Sequence, residues 1–188
     1  MTNQDHLGGC YETGDSNTIV QEVWGWLMVQ YNIQSMIDIG CGYGHAAEYF
    51  QKFLIHCTGV EGYKPAIENK VCSCPVVEHD YTLGELDLAN HTRWNLGWCA
   101  EVVEHIEEKY LPNLMHTFKA CDHVCITHAV PGQDGYHHVN CQTSEYWVDR
   151  FTEAGFIYDA ENTALLRKTD RWKAHWGRPT LMLFHNTK

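Results

Sequence analysis

Met36-Ile-Asp-Ile-Gly-Cys-Gly-Tyr-Gly44 reads as a short apolar strand that turns through three alternating glycines into a helix over residues 45–53. Glycine takes positive φ and lets a ligand approach the backbone, while the helix that follows points its unsatisfied N–H groups back at the turn. Such a corner leaves a cleft of nucleotide size. Its spacing is not that of a dinucleotide fold. A G-x-G-x-x-G pattern counted from Gly40 needs glycine where this chain has His45, and an imidazole there keeps strand and helix from closing around a pyrophosphate.

Working outward, residues 57–60 are apolar and end in Glu61 and Gly62. They lie about twenty residues past the glycines, where an open parallel sheet sets an acid against ribose hydroxyls. Residues 76–80 (Val-Val-Glu-His-Asp) read as a third strand, followed by Tyr81. Residues 96–106 (Leu-Gly-Trp-Cys-Ala-Glu-Val-Val-Glu-His-Ile) read as a fourth strand whose carboxyl end carries Glu101 into the cleft. A helix over residues 107–120 and a fifth strand over 123–129 continue the alternation. The order βαβ predicts a three-layer α/β/α sandwich.

A G-x-G-x-G loop behind Asp38, the acids Glu61 and Asp80, and the run Glu101-Val-Val-Glu-His-Ile106 resemble the class I S-adenosylmethionine-dependent methyltransferases. The likeness covers nearly the whole chain. It implies a Rossmann-like, mostly parallel sheet with an antiparallel last strand, S-adenosylmethionine as donor and S-adenosylhomocysteine as product. It further implies that Asp38, Gly40, Cys41, Gly42, Tyr43 and Gly44 bind the cofactor, Tyr43 near its amino-acid tail. Glu61 then meets the ribose and Asp80 the adenine edge, Gly62 and Tyr81 bind the cofactor beside them, and Glu101 borders the cleft. Residues 8–15 and 131–142 are similar to stretches of small methyltransferase domains from phage and marine microbial sequences. Two residues depart from the family pattern. Asn95 stands where the fourth strand usually begins with aspartate, and Tyr43 where an acidic or small residue is usual.

At 188 residues the chain reads as one domain, residues 1–34 supplying a loop and helix over the cleft and 35–188 the core. Any acceptor pocket must then come from loops. Lys and Arg total 13 against 24 Asp and Glu, a formal net charge of -11. That field repels phosphate backbones, and no basic run offsets it, so the expected partner is a small-molecule or glycan acceptor rather than nucleic acid. An N-P-P-Y-like tetrad, which the related DNA amino-methylating enzymes carry after the fourth strand, is replaced here by Cys99-Ala-Glu-Val. Nine cysteines, an odd number, fall in strands as well as loops behind a polar N-terminus without a signal peptide. They read as reduced thiols of a cytoplasmic protein, with Cys57, Cys99 and Cys125 as small strand hydrophobes. No run has the length of a membrane span.

Residues 19–31 place Ile19, Val20, Val23, Trp24, Leu27 and Tyr31 at helical spacing behind Asp15 or Ser16 as N-cap. Pro65 opens a short helix, and residues 82–93 form a loop. Ser144 caps a helix that stops at Gly155, residues 156–159 form a strand, residues 162–176 are helical in part, and residues 180–185 close the sheet.

Methyl transfer from a sulfonium is an in-line displacement in which positioning alone supplies roughly 7 to 11 kcal/mol. A base is needed only when the acceptor must lose a proton. His128, after the fifth strand, and the pair His137-His138, in the loop beyond Pro131-Gly132, are the candidates, at the carboxyl ends of the strands. The plain alternative is a loop held by histidine hydrogen bonds. Glu101 and His105, i and i+4, share a face if a helix starts near them. No metal is expected: a structural zinc site wants C-x-x-C spacing, and the chain offers only Cys72-Ser-Cys74 and the group His137, His138, Cys141. Trp147, Trp172 and Trp176 read as core or contact residues, or as the lining of an apolar pocket. Three rivals share the cleft or the cysteines: a non-catalytic cofactor-binding scaffold, a nicotinamide-dependent oxidoreductase with a divergent glycine loop, and a zinc-binding interaction module.

Overall fold

The computed structural model describes residues 6–8, 18–89, 93–168 and 177–188. Among these residues seven strands form: β1 Ser35–Ile39, β2 His56–Glu61, β3 Val76–Glu78, β4 Trp94–Cys99, β5 Cys121–Ile126, β6 Phe156–Tyr158 and β7 Met182–Asn186. They form one sheet in the order β3-β2-β1-β4-β5-β7-β6. Pairs among β1 to β5 are parallel, and β7 runs antiparallel to both β5 and β6. The sandwich and the antiparallel last strand are those expected from the sequence.

Period-two alternation splits the strands between two cores. Met36, Cys57, Trp98, Cys125 and Leu183 face one side, where α1 (Gln21–Gln30), α2 (His45–Gln51) and α6 (Ala160–Leu166) cover them. Ile37, Val60, Cys99, Val124 and Phe184 face the other, under α4 (Leu111–Lys119) and α5 (Ser144–Glu153). Helix α1 buries Val23, Trp24 and Leu27, the stripe read from the sequence, and the Trp24 ring stands edge-on to Trp98 at 5.8 Å. Cys57, Cys99 and Cys125 are buried strand thiols, and the described cysteines are all free. Trp147 is wholly buried in the second core, whereas Trp172 and Trp176 lie outside the described residues. No helix among the described residues is long and apolar enough to cross a membrane.

Several boundaries differ from expectation for identifiable reasons. Helix α4 begins at Leu111 after a 3-10 turn, Glu108–Tyr110, because Pro112 lacks an N–H and fits only a first turn. The cap of α5 is Thr143, which accepts from Tyr146 N, not Ser144, whose hydroxyl meets His128 Nε2 at 3.1 Å. Strand β5 ends at Ile126 rather than 129, and β3 ends at Glu78 rather than 80. Helix α1 starts at Gln21, with Val20 as a cap that makes no side-chain bond, and Asp15 and Ser16 lie outside the described residues. Glu101 and His105 share no helix: Glu101 sits at φ 55° and Val103–His105 is a single 3-10 turn. Asn95 now has a reason. Its Oδ1 accepts from Gln34 N and Ser35 N while its Nδ2 donates to Asp122, so it ties three strand starts together, and an aspartate could not donate.

At the opposite end of the sheet from the glycine corner, His123 Nδ1 meets His185 Nδ1 at 2.8 Å, and His185 Nε2 meets Asp159 at 2.7 Å. Tyr31 stacks on His123 at 4.2 Å. Burial, then His185, push the His123 pKa down to about 4. The unfolded chain therefore takes this proton first, and stability should fall as pH drops from 6.5 to about 4. Buried Asp38, whose folded pKa is raised to about 7, works in the opposite direction. The effect of His123 is thus read as a difference: urea unfolding of the wild type should lose more stability across this window than that of His123→Asn. Equal slopes would remove the histidine from the account.

Candidate functional site

The sheet order reverses between β1 and β4, and an open α/β sheet places its crevice at the carboxyl ends of the strands there. The glycine corner leaves β1 at that point. Gly40 N and Cys41 N both donate to Val60 O, at 2.8 and 3.0 Å, clamping the corner to β2. Gly40 has φ 64°, and a Cβ there would lie 2.3 Å from Val102 Cγ2, so side-chain-free backbone is required. Gly44 (φ 79°) is the left-handed cap of α2, packed against Cys72. Gly42 differs, because nothing lies within 4 Å of its would-be Cβ.

Glu61, at the end of β2, faces this corner. Its Oε2 accepts from Gly42 N at 2.7 Å and its Oε1 from Tyr63 N at 2.8 Å. Gly62 is pinched between Leu7 and the carbonyl of His79. Asp38 is 3% exposed and accepts from Ala47 N, in the first turn of α2, at 3.2 Å. Burial above all, then Cys72 and Glu61, push its pKa up to about 7. Asp80 accepts from the backbone and hydroxyl of Thr82 and meets His6 Nε2 at 2.8 Å. Despite burial, these bonds hold it below its ordinary range. Tyr81 turns its hydroxyl away, donating to Thr117 at 3.1 Å in the core, while Tyr43 and Cys41 border the opening.

These groups enclose a cavity of about 670 Å³, whose far wall is Ala100 to Val102, His105 and the loop from Gln133 to Tyr136 with His138. That volume is in the range of small-molecule and cofactor sites. His6, Leu7 and Gly8 border it from the N-terminal side. The proposed imidazoles separate. His138 lines the cavity, its Nδ1 on Gln133 O at 3.2 Å, and its ring lies 2.3 Å from where a Cβ on Gly135 would stand. His137 does not line it; at φ 47° its ring stands 6.1 Å from that of His6. His128 is 1% exposed and outside the lining, with its ring nitrogens on Ala129 O and Ser144 Oγ, so a base at the cavity cannot come from it.

His105, read from the sequence only as sharing a helix face with Glu101, lines the cavity 5.1 Å from the His138 ring. Burial, then His138, lower its pKa to about 4. Beneath it Glu104 is wholly buried, and burial together with Glu101 raises its pKa well above the carboxylate range. The signal for both was the run Glu101-Val-Val-Glu-His105, whose period suited a helix that does not form. Metal-ligating types do gather among the described residues, but they are Glu104, His105 and His138, not the groups that spacing had paired.

No protein-family model matches the chain, and no curated protein does at the level of sequence. Solved structures do match. Magnesium protoporphyrin IX methyltransferase (ChlM) from Synechocystis PCC 6803, crystallised with S-adenosylmethionine, aligns over 91% of this chain and 79% of its own with TM-score 0.65 and 13% identity. The chain has the class I methyltransferase fold. The methyltransferase domain of a bacterial Hen1, CtHen1-C, matches over 90% of this chain and 97% of its own (TM-score 0.62, 15% identity). The 1,6-didemethyltoxoflavin-N1-methyltransferase of Burkholderia thailandensis, crystallised with its acceptor and S-adenosylhomocysteine, matches over 92% and 80% (TM-score 0.63, 14% identity). In this chain the glycine corner follows β1, Glu61 ends β2, and Asp80 lies two residues past the end of β3.

Proposed function

We propose that this chain is an S-adenosylmethionine-dependent methyltransferase acting on a hydroxyl of a small molecule or sugar, with S-adenosylhomocysteine as product. The observation that supports it most is the open face of Gly42 beside the Glu61 carboxylate at the cavity wall. The bare backbone at Gly42 leaves room for an adenosyl group, and the Glu61 carboxylate, steadied by Gly42 N and Tyr63 N, keeps further lone pairs for hydroxyls. In this reading Asp38, Cys41 and Tyr43 frame the amino-acid end, with Gly40 and Gly44 shaping the corner. Glu61 and Gly62 meet the ribose, and Asp80 with the Tyr81 backbone meets the adenine edge. Asp80 is engaged by His6, so the adenine amine takes the place of that imidazole or shares the carboxylate with it.

The cofactor supplies a methyl group already bonded to a positively charged sulfur. The residues of the far wall position the acceptor and keep water out. With the donor bound, a group on that wall or water would take the acceptor's O–H proton as its oxygen received the methyl carbon, and the sulfur would keep the electron pair of the broken carbon–sulfur bond. Small acceptors suit a net charge of -11 better than nucleic acid does. Neighbours with this fold include enzymes named for a porphyrin and for a toxoflavin nitrogen, and the imidazoles of the far wall favour oxygen here.

Calorimetry tests the reading directly. S-adenosylhomocysteine should bind one per chain and NAD should give no heat of binding. NAD binding without S-adenosylhomocysteine binding would make the protein a nicotinamide enzyme. Saturating S-adenosylhomocysteine binding with no methyl transfer across broad acceptor panels would make it a scaffold subunit.

A further inference from the structure

We propose that Glu104, His105 and His138 form a divalent-cation site at the far wall of the cavity, which receives the hydroxyl oxygen of the acceptor. One donor atom from each of the three residues lies within 4.8 Å of the others. The backbone builds this grouping on purpose of geometry: Val139 N and Asn140 N both donate to Glu104 O, at 3.0 and 2.9 Å, which draws the loop carrying His138 onto the turn carrying Glu104 and His105. Glu104 is fully buried, and neither of its carboxyl oxygens meets hydrogen-bond geometry with a partner among the described residues; the Glu101 carboxyl beside it adds like charge rather than relief, which a cation would offset. Buried carboxyl groups are ordinarily paired or bound to metal. His105 Nδ1 is likewise buried without a partner. His138 spends Nδ1 on Gln133 O, which fixes its tautomer and leaves Nε2 as the ligand, the arrangement that a backbone carbonyl gives to metal-binding imidazoles.

Two imidazole nitrogens and one carboxylate oxygen suit borderline cations such as Zn²⁺, Co²⁺ or Ni²⁺, and three protein ligands leave coordination positions for an outside oxygen. His105 and His138 line the same cavity as Gly42 and Glu61, so those positions open toward the acceptor. A cation there lowers the pKa of a coordinated hydroxyl, and the proton leaves to water. His138 then acts through the cation and takes no proton itself. This inference rests on the methyl-transfer reading for the acceptor's role, but the cation site is testable without it.

The purified full chain, freed of metal by a chelator, is titrated with Co²⁺ and followed by visible absorption and calorimetry, in wild type and in His138→Ala and Glu104→Gln. One Co²⁺ per wild-type chain is expected, with a visible band, and affinity lowered at least tenfold in both variants, since even outer-shell changes cost about 10- to 100-fold. His138→Ala changes a partly exposed loop residue, so it keeps the test open if the buried Glu104→Gln variant misfolds. Absence of saturable Co²⁺ binding, or equal affinity in wild type and His138→Ala, overturns the site. S-adenosylhomocysteine is titrated into the same metal-free samples. Its binding without Co²⁺ binding removes the cation alone. Co²⁺ binding without S-adenosylhomocysteine binding upholds the cation and removes the methyl-transfer reading.

Discussion

Gly40→Ala should cost the fold about 2 to 5 kcal/mol, the sum of a left-handed L-residue and an overpacked contact with Val102. The native φ is 64°, and the new methyl would overlap both branches of the valine, at 2.3 and 2.9 Å. Val102 leads into the turn that carries Glu104 and His105, so the whole far wall would shift. Gly42→Ala is the informative companion. Its φ is 51° and its Cβ meets open space, so the conformational cost of about 1 to 2 kcal/mol stands alone. The methyl would nevertheless project at the cavity wall. Urea melts should therefore separate the two alanines, and calorimetry with S-adenosylhomocysteine should show Gly42→Ala bound more weakly than its small stability loss explains. Two equally unstable variants would mean that the corner is built for packing and not for a ligand.

The second large effect concerns Glu61. It holds Gly42 N and Tyr63 N with its two oxygens, and both bonds are charge-assisted. Glu61→Ala removes them and any ribose contact together, an expected loss of about 3 to 4 kcal/mol, or roughly 10²- to 10³-fold in S-adenosylhomocysteine affinity. Glu61→Gln keeps the size and one acceptor oxygen, so it should fall between. Because the carboxylate is partly exposed at the cavity edge, the alanine variant should still fold. If its affinity matches the wild type, the carboxylate serves only to shape the loop.

The alternation of strands and helices and the glycine corner were legible because they depend on local pattern. A run of apolar residues ending in Gly40, Gly42 and Gly44 has few alternatives, and Glu61 at the end of β2 and Asp80 two residues past β3 follow on spacings that parallel crossovers fix. The far wall was harder. His128 and His138 look alike in sequence, each a histidine in a loop after β5, yet one is sealed against Ser144 and the other reaches the cavity. What separates them is the bond of Val139 N and Asn140 N to Glu104 O, a pairing across 35 residues that no period announces. Glu101 and His105 misled for a related reason. Their i, i+4 spacing signals a helix face, but the chain takes a left-handed step at Glu101 and a single tight turn. Non-glycine residues at positive φ are held there by their surroundings and gather at functional sites.

The antiparallel β7 has a consequence for how the molecule is assembled. It lies between β5 and β6, and β6 joins the sheet only through it. Its Met182, Leu183 and Phe184 are fully buried, and His185 pairs with His123, 62 positions earlier. Contacts of such long range form late in a folding chain. The half of the sheet that carries β6, with α5 and α6 against it, therefore waits on five residues, Met182–Asn186. Until they slide in, β5 is a bare edge, and the nascent protein is most exposed to joining another copy of itself along that strand.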